Sequence, residues 1–396
     1  MKFWSTSKSK LAVICDVGTA SVSVGLVQYM SDDKPKILYT LRVPITIQDK
    51  PNIKDLPLVI ERYLDEAFHE LSLDIHNKDE IRNLKSKKID TVHVIFSSPW
   101  FVTKTQSIHI ENSKPKPLQK NDVERHIETE EKIFEEECLN RTDLYFGRVD
   151  ITMIERELVK IKLNGYETSS PYLNDVKHSE LTLYMSIVPH HILVDIKERS
   201  HSYFHTDSVT FNTFPLALFN TVNKLFTHEE DYLLIDIEGE NTDCTIVRDG
   251  ILENSTTFPI GKNSLIRSIA NKFGVTPEIA LSYLEMLSTD SLEEHIRDDV
   301  KAQTKDSIGL WYTELTKNLE NLSNKRRIPT KVFVTLDQST AHIYLDSLKN
   351  ESGEHTFESV LELSPELFAN EVNFGKFVFP DPFLCIDTLF IDTYKK

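Results

Sequence analysis

KLAVICDVGTASVSVGLVQY, residues 10–29, decides the fold when set beside YLLIDIEGENTDCTIVRDGILENSTTF, residues 232–258. Each opens with a continuous apolar run, the mark of a strand buried on both faces. Each run ends in an Asp, at Asp16 and Asp236. A short Gly-bearing turn then leads straight into a second strand. Residues 37–43 (ILYTLRV) add a third strand to the first unit. In the second, Asp249-Gly250 signals a hairpin into 251–258. A strand–Asp-turn–strand–strand unit near residue 12 therefore recurs near residue 233, an internal duplication. It predicts two similar lobes facing each other across a cleft.

An Asp at a strand end beside a small turn suits a nucleotide site. The missing side chain lets backbone N–H groups approach phosphate oxygens. The carboxylate can hold a hydrated Mg²⁺ that bridges them. Asp16 and Asp236 are the candidate Mg²⁺ holders, acting through water, and Gly18, Thr19 and Ser21 form the first candidate phosphate turn.

Between the two units, apolar residues at helical spacing (Leu58, Ile60, Tyr63, Leu64, Phe68, Leu71) predict a helix over 55–73, and 90–96 reads as a strand. A strand at KTQSIHI leads to a polar loop with Pro115 and Pro117. Asn121 then reads as an N-cap, with Glu124 closing a capping box. The acidic run Glu128 to Glu137 reads as that helix's solvated face. Strands follow near 149–163 and 179–188, with a loop over 164–177 between them. Next come a helix over 190–203, a strand at SVTFN and a helix from Pro215. Residues 261–325 read as mostly helical, 330–335 as a strand, and Phe383 to Lys396 as a short closing helix.

CDVGTASVSVGLV resembles the first phosphate motif of the actin-like ATPases, and LLIDIEGENTDCTIVRDGILENSTTFPIGKNSLIRSIA resembles the second with its following helix. HVIFSSPWF with TQSIHI, the helix from Asn121, and IKLNGYETSSPYLNDVKHSELTLYMSIV resemble the inserted SHS2-type domain of the FtsA/PilM branch. SVTFNTFPLALFNTV resembles the segment that joins the lobes. The resemblance implies an α/β, actin-like (ribonuclease H-like) duplicated fold with an inserted α+β subdomain. It divides the chain into 1–102 plus 189–227 as the first lobe, 103–188 as the insertion, 228–380 as the second lobe with a helical subdomain over 261–325, and 381–396 as a terminal helix packed back on the core. It implies ATP and Mg²⁺ in the cleft. Asp236, Gly239, Thr242, Gly261 and Ser339 join Asp16, Gly18, Thr19 and Ser21 as nucleotide-binding candidates.

The function implied is a bacterial cytoplasmic scaffold for cell division or type IV pilus assembly. It would act through other division or pilus proteins and through self-assembly, and meet the inner face of the plasma membrane only through a partner. The alternative is an active ATPase or phosphotransferase of the same superfamily. Three departures bear on that choice. Glu238 and Glu240 flank Gly239 where the family has further glycines, and carboxylates repel a polyphosphate. Leu336-Asp337-Gln338-Ser339 follows the late strand where the family has paired glycines. The chain ends directly after the closing helix, where FtsA-like proteins carry an amphipathic membrane helix.

Composition narrows the partners. A net charge of −17 opposes a broad nucleic-acid surface. Cys15, Cys138, Cys244 and Cys385 form no CxxC pair and read as buried free thiols in a reducing cytoplasm. No apolar run has the length of a membrane helix or a signal peptide. Phe3 and Trp4, beside lysines, read as part of a frayed tail. His201 and His205 stand at i, i+4 near His190 and His191, but without a third ligand they read as solvated helix-end histidines rather than a metal site.

Overall fold

The structure is a computed structural model. It describes residues 9–50, 56–77, 81, 88–140, 149–168, 171–172, 175–350, 356–376 and 378–394. The N-terminal tail with Phe3 and Trp4 lies outside these residues.

The chain opens with β1 (Lys10–Val17), β2 (Ser21–Met30), β3 (Asp33–Pro44), α1 (Leu56–Asn77) and β4 (Thr91–Phe96). β5 (Val102–Pro117), α2 (Lys120–Asn140), β6 (Ile151–Leu163), the short β7 (Tyr166–Glu167) and β8 (Asp175–Pro189) follow. α3 (His190–Phe204), β9 (Val209–Thr213) and α4 (Phe214–Leu225) return the chain to the first sheet. The second unit runs β10 (Tyr232–Ile237), β11 (Thr242–Arg248), β12 (Ile251–Phe258), α5 (Lys262–Phe273), α6 (Pro277–Ser288), α7 (Glu294–Leu322), β13 (Lys331–Leu336), α8 (Ala341–Asn350) and β14 (Ser359–Glu362). β15 (Asn373–Phe374) and α9 (Pro382–Tyr394) complete the chain.

The first sheet has the order β15-β3-β2-β1-β4-β9 and the second β12-β11-β10-β13-β14. In each, an antiparallel three-strand meander is followed by two strands parallel to its first. The shared order is the duplication expected of an actin-like fold. β15 is an extra strand on the edge of β3.

Alternation along the first strand of each unit explains its unbroken apolar run. Leu11, Val13, Cys15 and Val17 face a core shared with α1 and α3, while Ala12 and Ile14 face another. Leu233, Ile235 and Ile237 likewise face the core under α5, α7 and α8, and Tyr232 and Leu234 turn to the core that Ala12 and Ile14 share. That shared core holds Phe214 and Leu218 of α4 with Leu384, Ile386 and Phe390 of α9. Two helices are thus packed where the two sheets meet. Every residue from Pro382 to Asp392 is buried, including Asp387, whose carboxylate oxygens have no partner. Phe383, Leu384, Ile386, Leu389, Phe390 and Ile391 are buried on the same helix. At roughly 1.5–3 kcal/mol each, they outweigh the roughly 1–3 kcal/mol of one unsatisfied polar group.

β5, β8, β6 and β7 form a third sheet, with its own core of Ile108, Val123, Ile127, Phe134, Leu181 and Leu183. Glu155 of β6 ties it to the first sheet. Its carboxylate accepts from Ser186 Oγ (2.6 Å), Asn212 Nδ2 (3.1 Å), Thr213 N (2.9 Å) and Thr213 Oγ1 (2.7 Å). Burial pushes this carboxyl up to about 7 against those donors.

Several local expectations change. α2 starts at Lys120, so Asn121 lies inside its first turn rather than capping it. The amides of Asp122 and Val123 donate to Gln119 O, and Glu124 reaches Arg156 on β6 instead of closing a capping box. The acidic run lies on the solvent side of α2 as expected, and Glu137 there also meets Lys104 of β5 at 2.6 Å. Leu58 is 68% exposed, since it sits on the side of α1 away from Tyr63, Leu64 and Leu71. β8 already begins inside the expected 164–177 loop. The hairpin at Asp249-Gly250 forms as its residues suggest, with φ of 51° and 65°. All four cysteines are buried.

Candidate functional site

The two Asp-bearing turns lie against each other. In the first, Val17 and Val22 pair across the β1–β2 end, and Gly18 N donates to Ser21 O at 3.1 Å. In the second, Glu238 N donates to Asn241 O at 2.9 Å. The turns are joined by two hydrogen bonds. Thr19 N donates to Glu238 Oε2 at 3.2 Å, and Glu240 N donates to Thr19 Oγ1 at 3.0 Å. The amide of Ala20 also favours the charged form of Glu238.

This approach depends on glycine. A Cβ on Gly239 would stand 2.8 Å from the Thr19 carbonyl and the Ala20 amide nitrogen. A Cβ on Gly261 would stand 2.3 Å from Glu238 O. Gly261 precedes α5, whose first amides, Lys262 N and Asn263 N, donate to Glu238 O (2.9 Å) and Gly239 O (2.8 Å). The second turn is thereby fixed from behind by α5 and from in front by the first turn.

The two acids flanking Gly239 behave differently. Glu240 points away into an ion pair with Arg267 (2.7 Å) and a hydrogen bond from Asn263 Nδ2 (2.8 Å). Glu238 points at the first turn. Its Oε2 would lie 2.6 Å from a Cβ on Gly18. Burial raises its carboxyl, while Arg42, the Thr19 amide and Lys262 hold it down.

Arg42 of β3 and Lys262 of α5 also meet on Asp337, just past β13. Lys262 Nζ lies 2.7 Å and Arg42 Nη2 3.0 Å from Asp337 Oδ2. Burial opposes charge on Asp337, yet these two cations hold its carboxyl well below the usual range. Arg42 reaches Asp381 at 3.4 Å as well, and Ser23 Oγ donates to the same Asp381 oxygen at 3.2 Å. A further link crosses nearby, where Ser98 Oγ lies 3.1 Å from Thr257 Oγ1, which donates to Asp243.

The structure brings Asp16, Gly18, Thr19, Asp236, Gly239 and Gly261 to this meeting of turns. Ser21 contributes its backbone. Thr242 faces inward: its Oγ1 donates to Ile260 O (2.7 Å) and accepts from Trp311 Nε1 (2.9 Å). Ser339 is committed to Asp337, donating from N (3.0 Å) and Oγ (2.6 Å) to Oδ1. Arg42, Lys262, Asp381 and Asp387 were not singled out in the sequence. Lys262 had a signal in its place beside Gly261, and Asp387 in its place within an apolar run. Arg42 sits in a strand whose periodicity says nothing about charge.

Asp16 Oδ1 and Asp236 Oδ2 are buried without hydrogen-bond partners. Asp236 Oδ1 accepts from Thr335 Oγ1 at 2.6 Å. Burial first, and then Glu238, raises both carboxyls. Asp387 beneath them is raised by burial and by Asp16. Among the described residues, no group of three or more His, Cys, Asp or Glu is placed to hold a metal ion. His201 pairs with Asp207 at 2.8 Å, and His205 closes α3 in a left-handed conformation.

A polyphosphate does not fit the cleft as it stands. The Thr19 amide it would use already donates to Glu238, and the two cations it would use are taken up by carboxylates.

No protein-family model matches the chain, and no curated protein matches it by sequence. Solved structures do match. A chain of the PilM–PilN type IV pilus biogenesis complex superposes with a TM-score of 0.60 at 11% identity, over 96% of this chain and 97% of that one. An actin-like ATPase-fold protein of unknown function from Bacteroides thetaiotaomicron covers 99% of both chains at 10% identity, with a TM-score of 0.43. The ethanolamine utilization protein EutJ from Carboxydothermus hydrogenoformans gives 0.44 at 11% identity, over 97% of this chain and 90% of that one. The first superposition agrees with the strand order in placing the chain in the actin-like fold. The other two superpose too loosely to add to it.

Proposed function

We propose that this chain is a PilM-type actin-like scaffold, working by protein–protein interaction in a membrane-associated assembly of the type IV pilus kind. The observation that carries the reading is the end-to-end likeness to the PilM–PilN chain, over 96% of this chain and 97% of that one. The division into two lobes, an insertion over about 103–188 and a closing helix belongs to the same proposal. So does peripheral attachment to a membrane through a partner: among the described residues no helix is long and apolar enough to cross one. Fold kinship alone does not fix a role, and a division scaffold is the nearest variant of this reading.

An ATPase or phosphotransferase is the reading from another class. Glu238 on the Thr19 amide counts against it. So does Asp337, salt-bridged where the family has glycines.

The test is reconstitution with the cytoplasmic segment of a PilN-type membrane protein from the same genome. A defined complex by size-exclusion chromatography with light scattering supports the proposal. No complex with that segment, together with a stable complex with the tubulin-like division protein, overturns the pilus assignment.

A further inference from the structure

We infer that Glu238 is a built-in occupant of a phosphate-type anion site, a carboxylate that takes the place of an oxyanion and keeps the two turns docked without a ligand. This concerns the cleft, not the partner, so it stands or falls apart from the scaffold reading.

The features of an anion site are all present. The first turn offers the Thr19 amide, with that of Ala20 beside it, and Gly18 leaves the approach free of a side chain. Consecutive turn amides of this kind bind anions. Arg42 and Lys262 come from two different elements and favour negative charge at the same point. One guanidinium and one ammonium beside turn amides suit a phosphate oxygen. The group that fills the place is the Glu238 carboxylate, 5% exposed, whose Oε2 accepts from Thr19 N at 3.2 Å.

Glu238 is not placed there by accident of a mobile side chain. Its backbone is fixed by Asn241 O, by Lys262 N and by the Gly261 contact that only glycine permits. Glu240, two residues on, is held in the opposite direction by Arg267 and Asn263. The second turn therefore delivers one carboxylate to the first turn and withdraws the other. Because the two turns belong to different sheets, the contact spans the interface between the lobes. A free oxyanion would bridge the same groups, which is why its substitute fixes the lobes in the docked arrangement.

Removing the carboxylate should uncover the site. The experiment compares thermal unfolding of the full chain, wild type and Glu238→Ala, in inorganic phosphate, in pyrophosphate and in sodium chloride of equal ionic strength. The wild type is expected to show no saturable rise in phosphate or pyrophosphate over chloride, only the gradual, non-saturating gain that excluded salts give any folded chain. Glu238→Ala is expected to melt several degrees lower in chloride and to regain most of that loss, saturably, in phosphate or pyrophosphate. Equal melting of Glu238→Ala and wild type in chloride, or a loss that neither anion restores, overturns the inference. So does a wild type that is itself stabilised saturably by pyrophosphate, since the carboxylate would then be displaced rather than substituting. Should Glu238→Ala fail to fold, Glu238→Met keeps most of the volume without an acceptor oxygen, and hydrogen exchange at the Thr19 amide is read instead. Faster exchange than in the wild type is expected. Unchanged exchange overturns the inference.

Discussion

The turn at Asp16 and the turn at Asp236 occupy equivalent places in two sheets of the same strand order, yet they do opposite work. The first is receptive: it presents amides, a glycine and a hydroxyl, and none of its side chains crosses to the other lobe as a charge. The second is invasive: it brings Glu238 to the Thr19 amide and the Glu240 amide to the Thr19 hydroxyl, and is braced by α5. Duplication set up two copies of one motif. A single extra carboxylate then made one copy the ligand of the other. The lesson is that a turn can keep its place in a fold after its chemistry has been inverted.

The comparison is tested most severely at the glycines. Gly261→Ala sets a Cβ against fixed backbone at 2.3 Å, so the second turn must shift. We expect a loss of about 3 kcal/mol, the upper part of the range for overpacking, read from urea denaturation. Gly18→Ala meets only the end of the Glu238 side chain, at 2.6 Å, and that end can swing. Its loss should be about 1 kcal/mol, the lower part of the same range. The reverse order would break the contrast between a braced turn and a receptive one.

Next in size is Arg42→Ala. It leaves Asp337 with Lys262 alone and removes the cation from Asp381. A loss of roughly 2 kcal/mol is expected, in the range for charge-assisted hydrogen bonds. A double-mutant cycle with Glu238→Gln should give a coupling above about 0.5 kcal/mol. Additivity would mean that Arg42 does not sense the carboxylate.

The pH dependence runs the same way at both turns. Burial pushes the carboxyl of Asp243, which follows the second turn, up to about 6 from its ordinary 3.8. The folded state then binds more protons than the unfolded, so stability falls as pH rises. The contribution of Asp243 is complete below about 3.8 and lost by about 6. Asp16, Asp236 and Asp387 are raised too and extend the decline upward. Asp243→Asn should flatten the fall in stability between about pH 4 and 6 by about 2 kcal/mol, since a tenfold change in proton affinity is worth about 1.4 kcal/mol. Urea midpoints across that interval read it. A stability that rises over this interval would contradict the assignment.

An effect as small as that of Gly18→Ala is expected at Glu240. Glu240→Gln keeps the hydrogen-bonding shape and loses the ion pair with Arg267. A cost of about 1 kcal/mol with unchanged exchange at the Thr19 amide would confirm that only one of the two acids engages the first turn.

Much of the frame was legible in the sequence. Two apolar runs ending in Asp16 and Asp236 could be read as strands buried on both faces, and the structure supplies the cores that explain them. The conflict at Glu238 and Glu240 was legible as well, but not its resolution. Both are acids beside one glycine, and only the position of Arg267 on α5 tells which turns away. Arg42 was out of reach for a different reason. Its partners Asp337 and Asp381 lie 295 and 339 residues further along the chain, and strand periodicity carries no sign of long-range charge pairing. The start of α2 was missed because Gln119 takes the capping amides through its backbone carbonyl, which leaves no side-chain signature.

The most direct test of the central claim is a calorimetric titration of the full chain with Mg-ATP at neutral pH. With Glu238 on the Thr19 amide and the two cations engaged on Asp337, no saturable heat is expected. A stoichiometric isotherm for the wild type would contradict that claim, because the anion site would then be open to a nucleotide.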